Sequence, residues 1–140
     1  MLEIGAMRLE VLYPAALSPY HGNNISLVIR AIHGETGILF TGDIEREAEA
    51  AILAAGIDIA ADVLKVAHHG SRTSTTPEFL AAVSPDLAVI SAGRGNMFNH
   101  PHPSTLRTLE GQGVQVMVTA DAGAVLLRTD GRGFRIRTMR

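Results

Sequence analysis

The sequence predicts the α/β class, in its mixed α+β form, with a sheet covered by helices on one face. Three observations predict it. Short apolar runs such as Ile38-Leu39-Phe40 and Leu87-Ala88-Val89-Ile90 alternate with stretches of helical composition, the order expected of a sheet with covering helices. Glycine and proline punctuate the junctions between them. Of 140 residues, 46% are hydrophobic and 19% charged, the balance of one globular domain with a real core rather than of a disordered chain.

Arg8-Leu9-Glu10-Val11-Leu12-Tyr13 alternates polar and apolar and predicts a half-buried strand. Pro14 to Asn24, with Pro14, Pro19, Gly22 and two asparagines, predicts a loop. Ser26 to Ile32 predicts a second strand, Gly34-Glu35-Thr36-Gly37 a hairpin turn, and Ile38 to Thr41 the returning strand. The Ala- and Glu-rich stretch Ile44 to Ala55 predicts a helix stopped by Gly56. Asp62 to Ala67 reads as a strand that ends at His68. Thr76-Pro77-Glu78 opens a short helix through Val83, and Leu87 to Ser91 is a fully apolar strand. A loop from Gly93 to Pro103 leads to Ser104, a candidate N-cap for a helix to Leu109 or Glu110. Val114 to Val118 is a strand, Asp121-Ala122-Gly123 a turn, and Ala124–Arg128 pairs with Phe134–Thr138. Val28, Val89 and Val116 belong to strands that are apolar on both sides, so the face without helices needs a second sheet.

Composition excludes several chemistries. Without cysteine there is no disulfide, thiolate ligand or thiol nucleophile. Aromatics are 4% with no tryptophan, so Ala, Val, Ile and Leu must fill the core. A net charge of −2 provides no global field for polyanions. From Arg128 to Arg140 five arginines face one aspartate, which reads as an edge hairpin guarded by solvated arginines rather than a DNA-binding strip. No apolar run approaches the roughly 20 residues of a membrane span. Glu3, Arg8 and Glu10 break any signal-peptide pattern, so the expectation is a piece soluble by itself.

The chemistry concentrates at strand ends. Thr41-Gly42-Asp43 closes one apolar run and Lys65-Val66-Ala67-His68-His69-Gly70-Ser71 closes another. A carboxylate and imidazoles at such ends suit zinc or manganese, although a structural site needs about four ligands and a catalytic one about three. Asp43 reads in two ways, as the N-cap of the helix beginning near Ile44 or as a metal ligand freed by the turn at Gly42. His68 and His69 would point to opposite faces if the strand continued, leaving one toward a cleft. Lys65 is either a snorkelling side chain or support for a phosphate, and Gly70-Ser71 offers a turn whose N–H groups suit an anion. In His100-Pro101-His102-Pro103, His100 is a candidate phosphate donor, and His102 reads as a capping or surface residue. His21 and His33 read as surface residues, and Asn23-Asn24 as turn chemistry.

Taken together, Asn23 to Val28, Phe40 to Glu45, Asp62 to Ser71, Pro85 to Ser91, His100-Pro101-His102-Pro103 and Asp121 to Ala124 resemble the ComEC-type metallo-β-lactamase domain. The resemblance runs from about Leu9 to Leu127 by motif order. It implies an αββα sandwich of two sheets flanked by helices, a dinuclear zinc or manganese site at the sheet edges, and hydrolysis of phosphodiesters, DNA in particular. In such competence proteins the domain lies C-terminal to a membrane channel that imports single-stranded DNA, and it is proposed to degrade the strand left behind.

By that resemblance Asp43 matches the bridging carboxylate and the His68-His69 doublet the last histidine ligand; Lys65, Ser71 and His100 are then candidate phosphate contacts. The family's first motif, His-x-(His/Asp)-x-Asp-His, has no counterpart before Asp43. The expectation is therefore that residues 1–140 form the C-terminal half of the domain. The segment would be a soluble part of a bacterial cell-membrane protein, with DNA and the rest of the channel protein as partners. Alone, it would be inactive, metal-free or weakly metal-binding, and prone to pair as a homodimer through an uncovered sheet face and an unpaired strand edge. The competing expectation is a non-catalytic module that packs against the channel or binds DNA.

Overall fold

Every strand of the main sheet pairs with its neighbour in sequence, so the order of apolar runs along the chain is also their order in space. The computed structural model describes residues 1–14 and 19–139; part of the loop expected over Pro14–Asn24 lies outside them. β1 (Leu2–Ile4), β2 (Met7–Tyr13), β3 (Val28–His33) and β4 (Thr36–Phe40) form an antiparallel meander. β5 (Val63–Lys65), β6 (Leu87–Ile90) and β7 (Gln115–Val118) then add in parallel. The parallel crossovers carry the helices α1 (Arg46–Ala54), α2 (Pro77–Val83) and α3 (Pro103–Gly111). A one-turn helix α4 (Thr119–Ala122) leads to a separate two-stranded sheet of β8 (Ala124–Thr129) and β9 (Phe134–Met139).

The mixed α/β architecture is the one the sequence predicts. Leu39, Leu64 and Ala88 occupy matching positions across β4, β5 and β6. They join Ile44, Ala48 and Ile52 from α1, Phe79, Leu80 and Val83 from α2, and Leu109 from α3 in one buried cluster. Burial of each of the Leu, Ile, Val and Phe side chains contributes about 1.5–3 kcal/mol, which is how a core with few aromatics holds the sheet. The neighbouring register, Phe40↔Lys65↔Val89, lies on the opposite face. The β8–β9 hairpin meets the β3–β4 turn through Glu35 N–H donating to the Gly131 carbonyl at 2.6 Å. Among the described residues no helix is long and apolar enough to cross a membrane.

Several expected boundaries shift. β1 was not expected; three residues are too few to alternate visibly, and pairing of Leu2 with Leu9 defines the strand. The hairpin turn is tighter than predicted, because Thr36 and Gly37 already pair with His33 and Ile32. The strand at Asp62–Ala67 is confined to Val63–Lys65, since the chain turns away from Ala67 to Gly70 through the left-handed residues His68 and His69. Ser104 does not cap α3: His102 does, its ring accepting the Ser104 N–H, as its capping reading anticipated. Asp43 does not cap α1 either. That helix starts at Arg46 with Glu45 at the N-cap position, and the Glu45 N–H is taken by Asn24 Oδ1 at 2.8 Å. A loop side chain from far upstream has removed the need for a local cap.

Candidate functional site

Three parallel strand ends converge on one corner. At the end of β4, Thr41 is buried and its hydroxyl donates to the Lys65 carbonyl at 2.7 Å. Gly42 then turns with φ +55, and a Cβ there would stand 2.8 Å from the Ser26 Cβ, so only glycine fits. The Gly42 carbonyl accepts the His68 N–H at 3.1 Å, locking the β4 turn onto the turn after β5. Asp43 follows, with its side chain 41% exposed.

The two histidines do not split between faces, because the strand has ended before them. His68 and His69 both adopt left-handed backbone, φ 47 and 55, and Gly70 follows at φ 81. Left-handed conformations cost non-glycine residues about 1–2 kcal/mol each and persist only where the surroundings over-determine them. Here Ser71 N–H bonds the His68 carbonyl at 2.9 Å, and His102 N–H bonds the Gly70 carbonyl at 2.8 Å. The strain keeps both rings at the same corner.

His69 Nδ1 lies 2.7 Å from the Ser91 carbonyl at the end of β6. A carbonyl only accepts, so Nδ1 carries a proton, and in the neutral ring the lone pair is then on Nε2. That lone pair faces Asp43 Oδ1 at 3.8 Å. The gap is too long for a hydrogen bond. It suits two donors that each stand about 2.0–2.2 Å from one shared cation. A backbone carbonyl fixing the other ring nitrogen is also the usual support of a metal-bound histidine. Asp43 and His69 thus fit two positions of a divalent metal's shell. No group of three His, Cys, Asp or Glu side chains converges in this way among the described residues.

His68 faces elsewhere. Its Nδ1 is buried and 3.1 Å from Glu45 Oε1, but off-line, so it has no hydrogen-bond partner among the described residues. Glu45 Oε1 instead accepts Thr73 Oγ1 at 3.0 Å and Asn23 Nδ2 at 3.3 Å. The His68 ring meets His100 edge-on, with centroids 5.6 Å apart. Burial holds His100 below the ordinary histidine range, and neighbouring His68, His69 and His102 lower it further.

Lys65 points to the same corner, with Nζ 3.4 Å from the Gly42 carbonyl. Burial lowers its pKa, partly offset by the charge of Asp43. Ser71 is not at the surface: it is buried, its hydroxyl pairs with Thr73 Oγ1 at 3.0 Å and its carbonyl accepts Thr105 Oγ1 at 2.9 Å. Of the residues singled out from sequence, Asp43, Lys65, His68, His69 and His100 come together, and Ser71 serves as scaffold. Beside them opens a cleft of about 610 Å³ whose walls include His69, Arg94, Asn96, Phe98 and His100. Sequence reading missed Glu45, Arg94 and Phe98. Glu45 sits two residues after Asp43 and was absorbed into the helix; Arg94 and Phe98 lay in a loop with no periodic signal.

No family model matches the chain. Individual relatives do. ComE operon protein 3 of Bacillus subtilis is 39% identical over 132 residues, 94% of this chain and 17% of the relative. Competence protein ComA of Neisseria gonorrhoeae is 31% identical over 132 residues, 94% of this chain and 19% of the relative. Recombination protein 2 of Haemophilus influenzae is 38% identical over 119 residues, 85% of this chain and 15% of the relative. The chain therefore spans less than a fifth of the length of the curated relatives it matches.

Proposed function

We propose, for a chain homologous over nearly its whole length to a segment of the ComEC-type competence proteins, a part in DNA uptake as the C-terminal portion of a metallo-β-lactamase-like, metal-dependent phosphodiesterase domain. The observation that carries the reading is the facing pair, His69 Nε2 and Asp43 Oδ1 at 3.8 Å, with the other ring nitrogen tied to the Ser91 carbonyl. Asp43 and His69 would hold a divalent metal, zinc or manganese. When bound, such a metal supplies Lewis-acid chemistry toward water and a phosphoryl oxygen.

The chain's own residues have separate tasks in this reading. Gly42 and the left-handed His68–His69 turn hold the two donors on adjoining strand ends. Lys65 adds a partly desolvated positive charge beside Asp43, where a phosphate oxygen would approach. His68, wedged between Glu45 and His100, steadies the His100 ring at the cleft. Further ligands would come from other parts of a longer DNA-uptake protein attached to a membrane channel, and the segment alone would be inactive.

The test is cleavage of fluorescent single-stranded DNA by the longer protein that carries this segment, with zinc or manganese supplied. Asp43→Ala and His69→Ala should each abolish cleavage while the melting temperature stays near wild type. Retained cleavage in both variants would overturn the assignment.

A further inference from the structure

The connection between β6 and α3 holds two large apolar side chains in water: Met97 is 85% exposed and Phe98 69%. The loop is nevertheless tied down. Asn96 Nδ2 donates to the carbonyls of Gly93 at 2.8 Å and His100 at 2.6 Å, and its Oδ1 accepts the His100 N–H at 2.9 Å. Arg94, which also lines the cleft, donates from Nε to the Ala120 carbonyl at 2.6 Å, and its exposed Nη2 stands 4.0 Å from Asp121 Oδ1. Phe98 is therefore presented by a closed loop rather than left on a loose one.

Its ring stacks on His100, centroids 5.8 Å apart and planes at 29°, and His100 in turn meets His68. The rings are thus in successive contact from His68 to Phe98, and His100 and Phe98 line the cleft of about 610 Å³. A flat aromatic face beside an exposed guanidinium, opening on a cleft of this size, has the two features that one nucleotide needs: a surface for the base and a charge for its phosphate. A protein partner would require a broader apolar patch than Met97 and Phe98 supply. A base inside a duplex is already stacked on both faces, so the platform fits an unpaired one.

We infer that Phe98 and His100 form a stacking platform for an unpaired base of a DNA strand, with Arg94 holding an adjacent phosphate. This rests on the phosphodiester reading above and adds how the strand is gripped.

The experiment is fluorescence anisotropy of the 140-residue chain without metal, so that binding is read apart from cleavage. The probes are a labelled short oligothymidylate and an abasic oligonucleotide of equal length. Phe98→Ala should weaken oligothymidylate binding about tenfold and leave abasic binding unchanged, and Phe98→Trp should restore it. Arg94→Gln should weaken both probes and lower the salt slope by about one. Equal affinity of the wild type for the two probes, or an unchanged oligothymidylate affinity in Phe98→Ala, would overturn the platform while leaving the DNA reading in place. Binding to neither probe would overturn the platform and count against the DNA reading as well.

Discussion

Replacing Gly70 by alanine should damage both the fold and the site, by an amount that follows from its surroundings. Gly70 has φ +81, and an added Cβ would stand 2.7 Å from the Pro101 Cβ, 3.1 Å from the Pro101 Cα and 3.3 Å from Ile90 Cγ2. The backbone conformation alone costs an alanine about 1–2 kcal/mol. Overpacking against a proline and a buried isoleucine adds about 1–3 kcal/mol, since neither neighbour is the free end of a flexible chain. The sum is about 2–5 kcal/mol, or a fall of roughly 6–20 °C in melting temperature for a domain of this size. Gly111→Ala is the control: its Cβ meets nothing within 4 Å and its φ is not positive. Urea unfolding of the three proteins measures the effect. A Gly70→Ala variant within about 0.5 kcal/mol of wild type, the range of an ordinary surface change, would refute the claim that the His69–Gly70 turn is tightly specified.

Three further outcomes are expected. Asp43→Ala should leave stability within about 0.5 kcal/mol of wild type, because Asn24 satisfies the Glu45 N–H; a loss of about 1 kcal/mol in chemical denaturation would restore the capping role. Glu49 is fully buried and accepts the N–H groups of Thr75 and Thr76, and burial raises its carboxyl pKa against the pull of those bonds. The folded state thus holds the proton more tightly than the unfolded state, so stability should fall as pH rises from the ordinary carboxyl value toward the raised one. A pH series of unfolding should show this slope in wild type and its loss in Glu49→Gln; equal slopes would contradict it. The chain should also self-associate through β1, an edge strand with Leu2 and Ile4 exposed, and sedimentation showing only monomer at high concentration would count against that.

Much of the fold was legible because local and global signals agree. The apolar runs that became β5 and β6 lie inside the sheet and are largely buried, as continuous apolar runs imply, and β7 adds in parallel at its edge. Thr76-Pro77 reads as a helix start and is one, with the Thr76 hydroxyl accepting the Phe79 N–H. The misreadings share a cause, partners distant in sequence. Asp43 looked like a cap until Asn24, from another loop, supplied that bond. His68 and His69 looked like alternating strand residues, and it is the Gly42 carbonyl and the His102 N–H that force the chain to coil there. At the site the residue types were visible, but not which way each histidine ring faces. Only the Ser91 carbonyl, on a neighbouring strand, turns His69 toward Asp43 and leaves His68 facing Glu45.

In the proposed function Asp43 and His69 together receive a divalent cation. Paramagnetic broadening by Mn²⁺, followed residue by residue in the amide spectrum of the chain, reads even weak binding at a defined place. Broadening should centre on Gly42, Asp43 and His69, and disappear in both Asp43→Ala and His69→Ala. Broadening that leaves this corner untouched, or that persists there unchanged in the two variants, would contradict the account.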